Sequence, residues 1–155
     1  MPELYLAQHG KAYPENVDPE RRLTPEGIAE TEAVARYLKS IGASVNAIIH
    51  SGKARARQTA EIFARYLNVA RVEEASGLNP NDDPRIIASR ISEYGQSLMI
   101  VGHLPHLSRL ASLLLVNNPD VKIVEFKYSG VLKLTNTGGS WVIEWFITPN
   151  VVKTQ

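Results

Sequence analysis

Leu4-Tyr5-Leu6-Ala7-Gln8-His9-Gly10 is the stretch on which the reading of the fold turns. Leu4, Tyr5 and Leu6 make a short apolar, β-prone run, which reads as a buried strand. Its carboxyl end delivers Gln8, His9 and Gly10, and in an open α/β sheet that end is where ligands bind. Gly10 lets the chain turn sharply and lets a ligand approach the main chain. A histidine placed there titrates near neutral pH and serves as a nucleophile or a base; the plain alternative is a ring that only hydrogen-bonds a loop.

The same arrangement recurs along the chain. Val45 to Ile49 is apolar without helical period and runs into His50-Ser51-Gly52. The helix that follows, Lys53 to Leu67, carries Ala56, Ala60, Phe63 and Leu67 on one face and places Arg55 in its first turn. Ser97 to Val101 is a third strand, ending in Gly102-His103, and Pro105 opens a helix with Leu107, Leu110, Leu113 and Leu114. Between these units, Lys11 to Leu23 is a polar loop. Thr24-Pro25-Glu26 starts a helix bearing Ile28, Thr31, Ala35, Leu38 and Ile41, which stops at Gly42. Arg71 to Glu74 is a weak strand, and Asp83-Pro84 opens a helix through Tyr94. Such alternation predicts an α/β fold, a three-layer α/β/α sandwich with a mostly parallel central sheet. The tail is β-rich at Val121 to Phe126, Val131 to Leu134 and Ser140 to Ile147, with a hairpin turn at Asn136 to Gly139. It predicts an antiparallel C-terminal edge.

Composition bounds the function. The 155 residues are 44% hydrophobic and 21% charged, enough for a single domain over 1–155 with a sizeable core. A net charge of +1 argues against a nucleic-acid partner. The absence of cysteine excludes disulfides and thiolate chemistry and fits a reducing compartment. With no basic-then-apolar leader and no long apolar run, a cytoplasmic protein, monomer or small homo-oligomer, without membrane contact, is expected.

His9, Arg55 and His103 each follow a parallel strand, so the fold would bring them to one pocket. Two imidazoles and a guanidinium at a helix N-terminus suit an anion, phosphate best of all.

Four segments also resemble the histidine phosphatase superfamily, with its phosphoglycerate-mutase-like fold, and within it the small SixA-type phosphohistidine phosphatases. Gln8-His9-Gly10 stands for the family's Arg-His-Gly motif. Ser51-Gly-Lys-Ala-Arg55-Ala-Arg-Gln58-Thr59 stands for Ser-Pro-x-x-Arg-Ala-x-Gln-Thr. Val101-Gly-His103-Leu-Pro105 matches the second-histidine motif, and Arg21-Arg-Leu23-Thr24-Pro-Glu-Gly27 resembles Arg-Pro-Leu-Thr-x-x-Gly. The resemblance implies a phosphatase in which neutral His9 takes the phosphoryl group as a covalent phosphohistidine that water hydrolyses. Arg55 and a protonated His103 would clamp the equatorial oxygens, with no metal or cofactor. The substrate would be a phosphohistidine on a protein or a small phosphomonoester. The short loops leave no room for a lid, which suits a protein-borne phosphate.

Gln8 departs from the pattern, since the family has arginine there and an amide carries no charge. Lys11, Arg21 and Arg22 are the nearby cations that would compensate, and Arg21 is the expected one. The alternative that Gln8 opens is a catalytically weak or silent phosphate- or phosphoprotein-binding module. Ser51 is a further phosphate donor or a helix cap. Asp83, beside Asp82, is the candidate general acid, or the cap before Pro84. His50 reads as a satisfied core or rim histidine and His106 as a rim or surface one. Lys53 and Arg57 read as solvated, and Trp141, Trp145 and Phe146 as core or sheet-edge cover.

Overall fold

Six strands form one sheet in a computed structural model that describes residues 2–153; Met1, Thr154 and Gln155 of the expected 1–155 domain lie outside the described residues. The strands are β1 (Glu3–Gln8), β2 (Ala47–His50), β3 (Arg71–Glu74), β4 (Ser97–Gly102), β5 (Val131–Thr137) and β6 (Ser140–Ile147), in the order β3-β2-β4-β1-β5-β6. β3, β2, β4 and β1 run parallel; β5 lies antiparallel to β1, and β6 antiparallel to β5. The parallel sheet and its antiparallel C-terminal edge are thus as the sequence predicts.

The central strands are buried on both faces, which is why they read as continuous apolar runs. Tyr5, Ala7, Ile48, Met99 and Val101 point into one core, under helices α1 (Pro25–Ser40) and α2 (Ala54–Leu67). Leu4, Leu6, Ala47, Ile49, Leu98 and Ile100 point into the other, under α3 (Pro84–Ala88) and α4 (His106–Val116). A one-residue slip of any strand would exchange these sets, so register is firmly specified. Trp145 packs beside Tyr5 with ring centroids 5.9 Å apart, and Phe146 meets Phe126 edge-on at 6.0 Å. The terminal aromatics are partly buried and pack against the two cores, as sheet-edge cover. No helix among the described residues is long and apolar enough to cross a membrane.

Several local expectations change. Ile28 in α1 and Ile41 at its C-cap are exposed, and the buried face of the helix is Gly27, Glu30, Thr31, Val34, Ala35 and Leu38. The face turns because Gly27 packs against backbone: a Cβ there would sit 2.2 Å from the Lys11 carbonyl oxygen. The helix expected through Tyr94 ends at Ala88, where the Ser89 hydroxyl donates to the Ile86 carbonyl; a single 3-10 turn then covers Ile91–Tyr94. Val121 to Phe126 is not a strand. β5 already fills the place beside β1, and alternate burial arises because Val124 and Phe126 pack on the α4 side of the core while Val121 and Ile123 face solvent. A short α5 (Pro149–Val152), unanticipated, closes the first core through Val152.

His106 is the clearest correction. It is fully buried, not on a rim, because it opens α4 on the core-facing side. Burial lowers its pKa, and although the Asp82 carboxylate and the Gly77 backbone act on the ring, neither ring nitrogen completes a hydrogen bond. A buried polar group without a partner is destabilising. His106→Leu is therefore expected to raise stability by about 1–2 kcal/mol in urea unfolding at pH 7. A loss of stability would reveal a partner the ring depends on.

Candidate active site

The ladders set the site. Gln8 is level with Gly102, and His50 with Val101, so the neighbouring strands β2, β4 and β1 end on one line. His9, Ser51 and His103 follow those ends directly. The start of β5 reaches the same edge: the Gln8 amide donates to the Gly130 carbonyl at 3.2 Å, and the Ser129 amide to the Gln8 carbonyl at 3.0 Å. α2 begins just beyond Ser51 and presents Arg55 in its first turn.

His9 is 7% exposed. Its Nδ1 lies 2.7 Å from the Gly10 carbonyl oxygen. A carbonyl only accepts, so Nδ1 carries the proton and Nε2 keeps its lone pair. Burial pushes the ring down to about 4, with Arg55 and Arg21 lowering it further against the Gly10 bond. The free protein therefore holds His9 neutral at pH 7. Gly10 is itself fixed, its amide donating to Thr59 Oγ1 at 3.0 Å, while Thr59 donates on to the Arg55 carbonyl at 2.8 Å. A Cβ on Gly10 would fall 2.9 Å from Thr31 Oγ1 and 3.1 Å from Ser129 Oγ, so only glycine fits.

The His103 ring centroid is 5.1 Å from that of His9. His103 Nε2 and Ser51 Oγ share a 2.6 Å hydrogen bond, and Nδ1 is buried without a partner. Ser51 is not the cap of α2: Lys53 holds that position, with no side-chain cap bond. Burial, then His9, Arg55, Lys53 and His106, pushes His103 down to about 3. Burial first, and the neighbouring charges after it, thus favour a neutral His103 ring over the expected protonated one. Arg55 is lowered by its burial and by Arg21, and its Nε is buried without a partner. Gln8 is 6% exposed, with Oε1 also unpartnered.

The three loop cations separate cleanly. Lys11 pairs with Glu26 at 3.0 Å and Glu30 at 3.3 Å, along α1. Arg22 pairs with Asp18 at 3.0 Å, which holds that carboxyl down at about 2. Arg21 has no carboxylate partner among the described residues. Its Nε donates to the Tyr13 carbonyl at 3.1 Å, and its charge acts on both His9 and Arg55. Its backbone is left-handed, at φ 53, which a side chain rarely adopts.

Asp83 is the N-cap of α3: its carboxylate accepts from the Arg85 amide at 3.0 Å and pairs with the Arg85 guanidinium. Asp82 accepts from the Asn79 amide at 2.9 Å. Neither is among the charges acting on His9 or Arg55. His50 is satisfied, its Nδ1 accepting from the Gly52 amide at 3.0 Å. Lys53 and Arg57 are exposed. No group of three or more metal-ligating side chains is present among the described residues. A groove of about 370 Å³ between α4 and residues 119–126 starts beside Leu104 but includes none of His9, Arg55 or His103. Tyr128, which no motif marks, lies with its ring 5.6 Å from that of His9. Only the pairing of β5 with β1 brings it there.

A family model described as the histidine phosphatase superfamily (branch 1) matches residues 4–80. An uncharacterised protein of Mycobacterium tuberculosis strain H37Rv is 31% identical, over 86% of this chain and 89% of its own. Among solved structures, the protein histidine phosphatase SixA complexed with tungstate superposes with a TM-score of 0.86 at 24% identity, covering 97% of this chain and 99% of that one. A structure assigned as the SixA phosphohistidine phosphatase of Agrobacterium tumefaciens has a TM-score of 0.78 at 26% identity, covering 96% and 99%. With the strand-end histidines and the helix arginine in these places, the chain belongs to the histidine phosphatase superfamily.

Proposed function

We propose that this protein is a phosphatase that passes a phosphoryl group through His9 to water, acting on phosphohistidine carried by a protein or on a phosphomonoester. The observation that carries the reading is the His9–Gly10 hydrogen bond, which leaves a neutral ring with Nε2 unprotonated beside Arg55 and His103. In the first step an Nε2–phosphorus bond forms as the bond from phosphorus to the leaving group breaks. In the second, a water oxygen bonds to phosphorus, the Nε2–phosphorus bond breaks, and inorganic phosphate leaves.

Arg55, His103, Arg21, Ser51 and Gln8 would hold the phosphoryl oxygens, whose charge has to be balanced during transfer. A bound dianion supplies the negative charge His103 lacks in the free protein, and so draws a proton to its ring. Asp83 is engaged as a cap, so the leaving group takes its proton from solvent, which suits an imidazole. That SixA, a protein of the same fold, was solved complexed with tungstate is consistent with an oxyanion ligand.

The test is phosphate release from a phosphohistidine peptide and from an aryl phosphate. His9→Ala is expected to lower release by at least about 10³-fold. Persisting release would sink the mechanism; phosphate binding by the parent with no release from either substrate would favour the silent binding module.

Arg21 as the stand-in for the family arginine gives a second expectation. Arg21→Ala should lower kcat/KM on the order of 10²-fold, and Gln8→Arg in the same chain should recover most of that loss. If Arg21→Ala costs as much in a Gln8→Arg background as in the parent, the two positions do not share a task.

The histidine shifts also set a pH dependence. His9 and His103 have folded values of about 4 and about 3, below the ordinary 6.5, so the unfolded chain binds more protons between those values. Stability is held above pH 6.5 and falls as pH drops toward 4. The melting temperature should decline from pH 7 to pH 5, where carboxylates stay ionised, and the slope should flatten in His9→Gln and His103→Gln. A slope unchanged by both would place the effect elsewhere.

A further inference from the structure

Among the described residues, Tyr128 is the one aromatic side chain that is both beside the His9 ring and open to solvent. It is 44% exposed, with its ring tilted 46° to that of His9 at 5.6 Å. Its phenol lies close enough to Arg55 to act on the guanidinium charge. Tyr128 therefore edges both the nucleophile and the anion clamp.

Its position is built in. Residues 127–130 form a tight turn closed by the Gly130 amide donating to the Lys127 carbonyl at 2.9 Å. Ser129 takes the left-handed third position, φ 63, which glycine usually fills. That strain is held by Ser129 itself: its amide donates to the Gln8 carbonyl, and its fully buried hydroxyl bonds Thr31 Oγ1 at 2.8 Å. The turn is thus tied to β1 and to α1 directly after Tyr128, and the ring stays beside His9 without a core to hold it.

The chemistry around it is one-sided. Tyr128 itself aside, the charges acting on His9 and Arg55 are cationic, and no carboxylate stands among them to bind an ammonium, orient a polyol or protonate an alkoxide. An exposed aromatic ring beside such a site favours a flat, apolar leaving group that departs without a strong acid.

We infer that Tyr128 is a specificity-determining residue, offering its ring to the leaving group so that imidazolyl and aryl phosphoryl compounds are selected over alkyl ones. The inference rests on the phosphatase reading for its biological sense, but its test does not need turnover. Phenylphosphonate and methylphosphonate share the phosphoryl head and are not hydrolysed, so their affinities for the intact protein isolate the ring's contribution. The parent is expected to bind phenylphosphonate on the order of tenfold more tightly than methylphosphonate. That ratio should collapse toward one in Tyr128→Leu, which keeps apolar bulk, and persist in Tyr128→Phe, which keeps the ring.

An unchanged ratio in Tyr128→Leu would overturn the inference, as would an equal collapse in Tyr128→Phe, which would give the selection to the hydroxyl. No preference in the parent overturns it as well. Failure of inorganic phosphate to bind at all would instead overturn the anion site itself. A preserved ratio change in a protein that releases no phosphate would uphold Tyr128 while removing catalysis.

Discussion

Positive charge gathered without a counter-charge is the constraint around which this structure is arranged. Arg55 and Arg21 both act on His9, Arg55 keeps a buried Nε unpartnered, and His103 keeps a buried Nδ1 unpartnered. The chain neutralises charge carefully elsewhere: Lys133 sits between Glu3 and Glu144 at 3.1 Å from each, and buried Glu30 takes both Lys11 and Lys153. Leaving cations unpaired in a partly dry site lowers stability. Local rules are broken in this way at functional sites, where a ligand completes the missing interaction. On the proposed function, a phosphoryl dianion would supply what is missing at each of these groups.

The two histidines are alike in burial and in the direction of their shifts, yet their hydrogen bonds differ in kind. His9 donates to a carbonyl, a partner with no proton of its own, so its tautomer is locked. His103 faces the Ser51 hydroxyl, which donates or accepts as needed, so its ring can gain a proton without losing its bond. A nucleophile needs a fixed lone pair; a group that clamps a growing negative charge needs to change state. On the proposed mechanism, the hydrogen-bond partners would divide these two tasks between identical side chains.

What was legible in the sequence was whatever short-range chemistry decides. Strands buried on both faces announced themselves as apolar runs, and Thr24-Pro25 and Asp83-Pro84 cap as they read. Level strand ends followed from parallel alternation, so His9, Arg55 and His103 could be grouped before any contact was known. What was hidden depends on tertiary choice. Val121 to Phe126 alternates like a strand, yet the edge it would need belongs to β5. His106 looks like a helix-start surface residue, yet α4 turns it into the core. Thr148-Pro149 carries the same start signal as Thr24-Pro25, but its helix is one turn long. Tyr128 had no signal, because its meaning comes only from the antiparallel partner of β1.

On the proposal that Arg21 stands in for the arginine the family places at Gln8, the same charge would be carried from a different place. An arginine in place of Gln8 would rise from a strand held on both sides by ladders, ordered before any ligand arrives. Arg21 sits in a loop, where a long side chain loses more freedom on binding. The loop reduces that loss in two ways. Asp18 accepts from the amides of Glu20 and Arg22 and from the Arg22 guanidinium, fixing a turn that forces Arg21 into its left-handed backbone. The Arg21 Nε then bonds the Tyr13 carbonyl, which sets the plane of the guanidinium and leaves its two terminal nitrogens free for oxygen. Arg22, the neighbour spent on Asp18, is what makes that turn rigid. The density of positive charge in the loop is thus three separate assignments: one cation for α1, one to build the turn, and one, without a carboxylate partner among the described residues, whose charge acts on His9.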